Sequence, residues 1–465
     1  IPHWIDNSTF DDPSSRTSPV FDPAKGAQTA EVLMASEQDV DRAVAAASSA
    51  FPDWRDTPVT ARQRIMFRYR ELVDAHRHDV AKLLTAEHGK TIDDSLGEVQ
   101  RGLEVVEFAC GIPHLLKGDF SEQVSTGVDT HTIRQPLGVV AGITPFNFPA
   151  MVPMWMFPMA IASGNTFVLK PSEKDPSPSM LLAELFAEAG LPAGVLNVLH
   201  GDRIAVERLL EHPDIAALSF VGSTPIARHI YSTGTANGKR VQALGGAKNH
   251  MIVLPDADMD LAADAAVSAG YGSAGERCMA ISVVVTVGDA GDKLVEAVGR
   301  RIEDLRVGPG SADGVQMGPL VTSQHRDRVK GYIDAGVAEG AALVADGRSI
   351  TVEGNEDGFF VGPTLFDGVT PEMSIYRDEI FGPVLSVVRV ETYAEAIQLI
   401  NDNPYGNGTA VFTNDGGAAR KFQSEIAVGM VGINVPIPVP LSFYSFGGWK
   451  DSCLLYTSPS PRDCN

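Results

Sequence analysis

Val139-Val140-Ala141-Gly142-Ile143-Thr144-Pro145-Phe146-Asn147-Phe148-Pro149 is an apolar run of strand length that stops in a turn of prolines, aromatics and one amide. Three similar runs follow, at Thr166–Lys170, 195–199 and 216–221, and helical spacing fills 178–189 and 203–210 between the later ones. Short buried strands alternating with helices predict a parallel sheet with crossover helices. Ligands of such sheets bind beyond the carboxyl ends of the strands, so the residues after each run are the informative ones. The second run ends in Lys170-Pro171-Ser172-Glu173-Lys174, whose lysine and glutamate suit ribose hydroxyls. The last ends in Gly222-Ser223-Thr224-Pro225, where glycine admits a phosphate and proline suits the first turn of a helix with free amides. Each turn taken singly is an ordinary connection, but three in register predict a nucleotide cleft.

Outward from this sheet, the spacing is helical from Asp39, with a further helix over 91–110 that contains Arg101. The basic run Arg62, Arg64, Arg68 and Arg70 reads as a solvated helix face. A second alternating region runs from about 257 to 434, with helices near 293–304 and 325–339. At its start lies Gly270-Tyr271-Gly272-Ser273-Ala274-Gly275-Glu276-Arg277-Cys278-Met279, before a buried strand at Ile281–Val287. Small residues ahead of Cys278 leave room for a ligand, and the Arg277 guanidinium is expected to ease ionisation of the thiol, making a nucleophile. A plain core cysteine is the competing reading. The GxGxxG match at 270–275 follows a helical stretch and not a strand, so it is no dinucleotide fingerprint.

At 465 residues the chain exceeds one core, and 59 acidic against 37 basic residues give a net charge of −22. That charge argues against nucleic acid or an anionic membrane as partner. Cys110, Cys278, Cys453 and Cys464 form no CxxC and no dense framework, which fits a reducing compartment and offers no structural metal site. The run 151–162 is too short to span a bilayer. The expected location is the cytoplasm, or the mitochondrial matrix if a targeting segment precedes Ile1.

The pieces TPFNFP (144–149), LKPSEK (169–174), FVGST (220–224), the cysteine loop, RDEIFGP (377–383) and SFGGWK (445–450), in this order, resemble the aldehyde dehydrogenase superfamily from near the start to about Ser452. GGAKNH (245–250) and GERCMA (275–280) resemble its coenzyme A-acylating branch, whose substrates are methylmalonate and malonate semialdehyde. The resemblance implies an α/β fold: a dinucleotide-binding domain from 1–117 and 138–245, an oligomerisation arm at 118–137, a catalytic domain at 246–435 and a return segment at 436–452. It makes Cys278 the nucleophile and Asn147, with the Cys278 amide, the holder of the oxyanion. For NAD it implies Lys170 and Glu173 at the adenosine ribose with Phe146 and Lys174 beside them, Gly222 and Ser223 at the pyrophosphate, Gly245 at the nicotinamide, and Glu379 and Phe381 at the nicotinamide ribose. Arg101 and Arg277 match the arginines that take the substrate carboxylate, and coenzyme A is the co-substrate.

Two departures bear on function. The family's general base, 34 residues before the nucleophile, is here Leu244. Residues 453–465 resemble nothing in the family, so the closing strand of the arm is expected to be missing and the family's homotetramer to form poorly. A hydrolytic aldehyde dehydrogenase and a catalytically inactive NAD-binding protein are the rival readings.

Overall fold

The computed structural model describes residues 1–11 and 16–455. Its first sheet has, among the described residues, the strand order Ser8–Phe10, His3–Ile5, Leu196–Val198, Thr166–Lys170, Val139–Ile143, Ile215–Val221, Arg240–Leu244, Cys453–Leu455. The five central strands run parallel and both edges are antiparallel. Val139–Ile143 is buried at every position, as expected of a strand covered on both faces. Val139, Ala141 and Ile143 pack with Val40 and Ala43 on one side, while Val140 packs with Met154 and Phe157 on the other. The helices at Met151–Ala162 and Ser177–Glu188 are thereby fixed to one face, and Glu37–Asp56 and Arg203–Glu211 to the opposite one.

The second sheet, ordered Ala342–Ala345, Thr364–Asp367, Val384–Val390, Ile281–Val287, Asn249–Val253, Gly408–Phe412, Met430–Ile433, is parallel except at its first pair. It has its own core, in which Val283, Val285, Leu385 and Val411 are almost fully buried. The expected α/β architecture with two largely parallel sheets is thus present. Helix Met259–Tyr271 runs into a 3-10 turn, Gly272–Gly275, so the GxGxxG match indeed lies on no strand.

Phe120–Ser125 and Val128–His131 pair as a hairpin that is exposed along its whole length. Two sequence expectations need correction. Arg62 is not solvated: it is buried, and its Nε donates to the Ala162 carbonyl at 2.9 Å, the last carbonyl of an apolar helix. Cys453–Leu455, placed outside the family-like part, pairs with Arg240–Leu244 as an edge strand, because Leu454 completes the apolar face under that strand. The remainder of the expected unrelated tail, 456–465, lies outside the described residues. Among the described residues no helix is long and apolar enough to cross a membrane.

Candidate active site

Strand ends of the two sheets face each other across a cleft of about 780 Å³, with Cys278 at its floor and Asn147, Ser223, Gly245, Glu379 and Phe381 in its walls. Asn147 Nδ2 lies 3.4 Å from Cys278 Sγ, and the Cys278 carbonyl accepts from the side-chain amides of Asn249 at 2.8 Å and Asn407 at 3.0 Å. The nucleophile's backbone is therefore tied to strands of the second sheet, while the amide that faces its sulfur comes from the first. The approach to Cys278 is strained: Ser273 and Ala274 have φ of 51° and 52°, a conformation that residues with a Cβ seldom adopt. Asp94 steadies this segment by accepting from the Ser273 amide at 3.2 Å and from Arg277 Nη2.

That last contact overturns an expectation. The Arg277 guanidinium serves Asp94, not the sulfur, and the thiol is pushed up to about 11 by burial, with the Asn147 hydrogen bond only partly offsetting this. Cys278 is a protonated thiol in the resting site. Arg277 also does not share a cavity with Arg101. Arg101 lines a separate space of about 310 Å³ together with Leu244, Trp155 and Phe446, and its nearest acidic partner is Glu104 at 3.9 Å.

The nucleotide side of the cleft is polar. Helix Thr224–Ala236 begins in the cleft wall with Ser223 exposed and making no side-chain cap, which leaves the helix start open to an anion. Gly245 and Gly246 let the chain lie against Thr224 and Asp451 only because they lack side chains; a Cβ on Gly245 would lie 2.6 Å from the Asp451 carbonyl and 2.9 Å from Thr224 Oγ1. Lys170 Nζ sits 3.3 Å from Glu173 Oε2; burial alone would raise the Glu173 carboxyl, but Lys170 brings it below its ordinary value. Lys174 Nζ lies 4.5 Å above the Phe146 ring, and Phe381 meets Phe146 edge-on at 5.9 Å. Glu379 accepts from the Ala247 amide at 2.9 Å and is raised by burial to about 7. An open helix start for a pyrophosphate, ribose-binding carboxylates and bare glycines form a set that fits a dinucleotide.

Sequence reasoning missed His325, Arg328 and Tyr405 in the walls. It also missed a buried group behind Phe146. There the His88 ring stacks on Phe146 at 6.2 Å, with its Nε2 3.8 Å from Glu276 Oε2. Burial holds His88 neutral and raises Glu276 to about 8, so both are uncharged at neutral pH. Glu276 does not line the cleft and is in no position to activate water there.

The model of the aldehyde dehydrogenase family matches residues 10–457. The chain belongs to that family. It is 56% identical over 451 residues to a malonate-semialdehyde dehydrogenase of Pseudomonas aeruginosa, covering 97% of this chain and 91% of the relative. With malonate-semialdehyde dehydrogenase 1 of Geobacillus thermodenitrificans it shares 51% identity, over 97% and 93% of the two chains. A methylmalonate-semialdehyde dehydrogenase structure from Oceanimonas doudoroffii superposes with a TM-score of 0.96 at 55% identity, over 98% of this chain and 93% of the other. A structure from Sinorhizobium meliloti complexed with NAD gives 0.97 at 54% identity, with the same coverage.

Proposed function

We propose that the chain oxidises malonate or methylmalonate semialdehyde with NAD and transfers the acyl group to coenzyme A, giving acetyl-CoA or propanoyl-CoA, CO2 and NADH. One observation carries the acylating assignment. Leu244, at the family's base position, lines a space with Trp155 and Phe446 whose one carboxylate among the described residues is Glu104, which lies beside Arg101.

Lys170, Glu173, Gly222, Ser223, Gly245 and Glu379 hold the dinucleotide, with Phe146, Lys174 and Phe381 enclosing it. When bound, NAD supplies the acceptor for the aldehyde hydrogen and its electron pair. Cys278 gives its proton to water of the open cleft, the thiolate attacks the aldehyde carbon, and the new oxyanion takes hydrogen bonds from Asn147 Nδ2 and the Cys278 amide. Arg101 holds the substrate carboxylate; Arg277 joins it only on leaving Asp94. After oxidation the malonyl or methylmalonyl group remains as a thioester on Cys278; its free carboxylate leaves as CO2, the electron pair of the broken C–C bond passes into the thioester enolate, and a proton from water gives the acetyl or propanoyl thioester. Water attacks a thioester slowly without a base, whereas the thiol of coenzyme A is partly thiolate near neutral pH and attacks readily. The observed geometry thus favours release to coenzyme A.

The test is NADH formation with malonate semialdehyde. A burst followed by slow turnover is expected without coenzyme A, and sustained turnover with it. Steady-state rates that ignore coenzyme A, with free acid as product, would remove the assignment in favour of hydrolysis. The same reading places the enzyme in the cytoplasm, in keeping with free Cys110, Cys278 and Cys453. Assembly would use the exposed hairpin, which presents Phe120, Val124 and Val128 to solvent. Light scattering that finds a stable tetramer would show that the unmatched tail is dispensable for it.

A further inference from the structure

Behind Asn147 lies a charged pair that the chemistry above does not use. Lys90 and Glu98 are both almost fully buried, and Lys90 Nζ donates to Glu98 Oε2 at 2.6 Å and to the backbone carbonyl of Asn147 at 2.6 Å. The other carboxylate oxygen of Glu98 accepts from the amides of Ala150 at 2.8 Å and Met151 at 3.0 Å, at the start of helix Met151–Ala162. The Lys90 ammonium also lies 4.5 Å over the Phe148 ring. Every contact of the pair outside itself therefore falls on the turn 147–151. Glu98 is in the middle of helix Ile92–Cys110, which Thr91 caps and which also carries Asp94, the residue holding the cysteine loop.

Removing two charges from water costs several kcal/mol per ion, and hydrophobic side chains of similar size would fill the same space at no such cost. A pair kept in this place needs a reason other than packing, and its partners supply one. Asn147 follows Pro145 and precedes Pro149 in a turn without regular backbone pairing, so its side-chain direction is set by whatever grips its own peptide. Lys90 grips that peptide. Resting on the role given to Asn147 above, we propose that Lys90 and Glu98 are positioning residues of the reaction, which fix the turn 147–151 so that Asn147 Nδ2 points at the oxygen of the forming oxyanion.

The experiment is a double-mutant cycle on the first-turnover NADH burst with malonate semialdehyde. The variant Lys90→Met/Glu98→Gln leaves the net charge of the buried site unchanged and keeps an acceptor oxygen for the Ala150 and Met151 amides. The Coulombic help that Lys90 gives the Cys278 thiol is lost in either background, so the cycle with Asn147→Ala separates it from positioning. Asn147→Ala is expected to slow the burst about 10²-fold, the usual cost of one oxyanion donor. The Lys90/Glu98 variant is expected to slow it at least about tenfold with NAD affinity unchanged, and to add nothing in the Asn147→Ala background, because the pair acts only through Asn147. An equal loss in both backgrounds would mean general structural damage and overturn the proposal, as would an unchanged burst. If Asn147→Ala itself leaves the burst intact, the role of Asn147 is wrong, which is a separate failure. Should the double variant not fold, Glu98→Gln alone runs the same cycle. A loss of about threefold that vanishes without Asn147 supports the proposal, and a loss that persists there overturns it.

Discussion

Two neighbouring spaces that meet at Val221 differ in their titratable groups. The nucleotide cleft, which Cys278 lines, gathers Lys174, His325, Arg328 and Glu379. The smaller space is walled by Leu244, Trp155, Met156 and Phe446, with the Arg101 guanidinium and Glu104 at its edge. The difference teaches where proton transfer is possible: titratable groups are gathered where the cofactor binds, and the space proposed for the aldehyde has an anchor but no base. A site so divided can oxidise an aldehyde and yet leave the acyl enzyme waiting for a better nucleophile than water.

The contrast breaks most completely at its centre. Cys278→Ser should lower turnover by more than about 10³-fold while NAD still binds, since a neutral hydroxyl is a far weaker nucleophile. Retained activity per folded molecule would make Cys278 a core residue. Next in size, Leu244→Glu should give the apolar side the base it lacks. Thioester release without coenzyme A is expected to rise about 10²-fold, with free acid appearing, and no change would show that water is excluded from the sulfur for another reason.

A smaller effect separates the anchor from the chemistry. Arg101→Leu should cut kcat/KM for the semialdehyde acids about tenfold, as expected for a charge-assisted hydrogen bond, and leave propanal nearly untouched. Equal losses would assign Arg101 to its own helix, through Glu104. The smallest effect lies on the polar side. Glu379 is raised to about 7, so its carboxyl is mostly neutral below that pH and ionised above it. An ionised carboxylate accepts ribose hydroxyls more strongly, and NAD affinity should therefore increase about fivefold as pH rises through 7. Glu379→Gln should flatten that step; a step that persists would belong to another group.

How far these two spaces were legible in the sequence depends on the range of the interactions that make them. The strands at 139–143, 166–170 and 281–287 were readable because burial on both faces requires a continuous apolar run. The turns that follow were readable because glycine, proline and a free helix start are local features. Arg277 was misread for the opposite reason. Its neighbour in sequence is Cys278, but its partner in space is Asp94, more than 180 residues earlier, and no local pattern announces that. Lys90 went unread as well, because its partners Glu98 and the Asn147 carbonyl are set by the fold and not by its neighbours in sequence. Charges that are buried are paid for by distant groups, and a single sequence shows only the charge.

The strand Cys453–Leu455 has a temporal consequence. It closes the edge of a sheet whose neighbouring strand, Arg240–Leu244, leaves the ribosome about 200 residues sooner. At roughly 5–20 residues per second, that edge stays open for about 10–40 s during synthesis. The Gly245 N–H, which donates to the Ser452 carbonyl, stays without this partner for as long. The nucleotide-binding half is thus begun first and finished last, and a nascent chain stalled shortly before residue 450 would expose a strand edge that chaperones or like chains can capture.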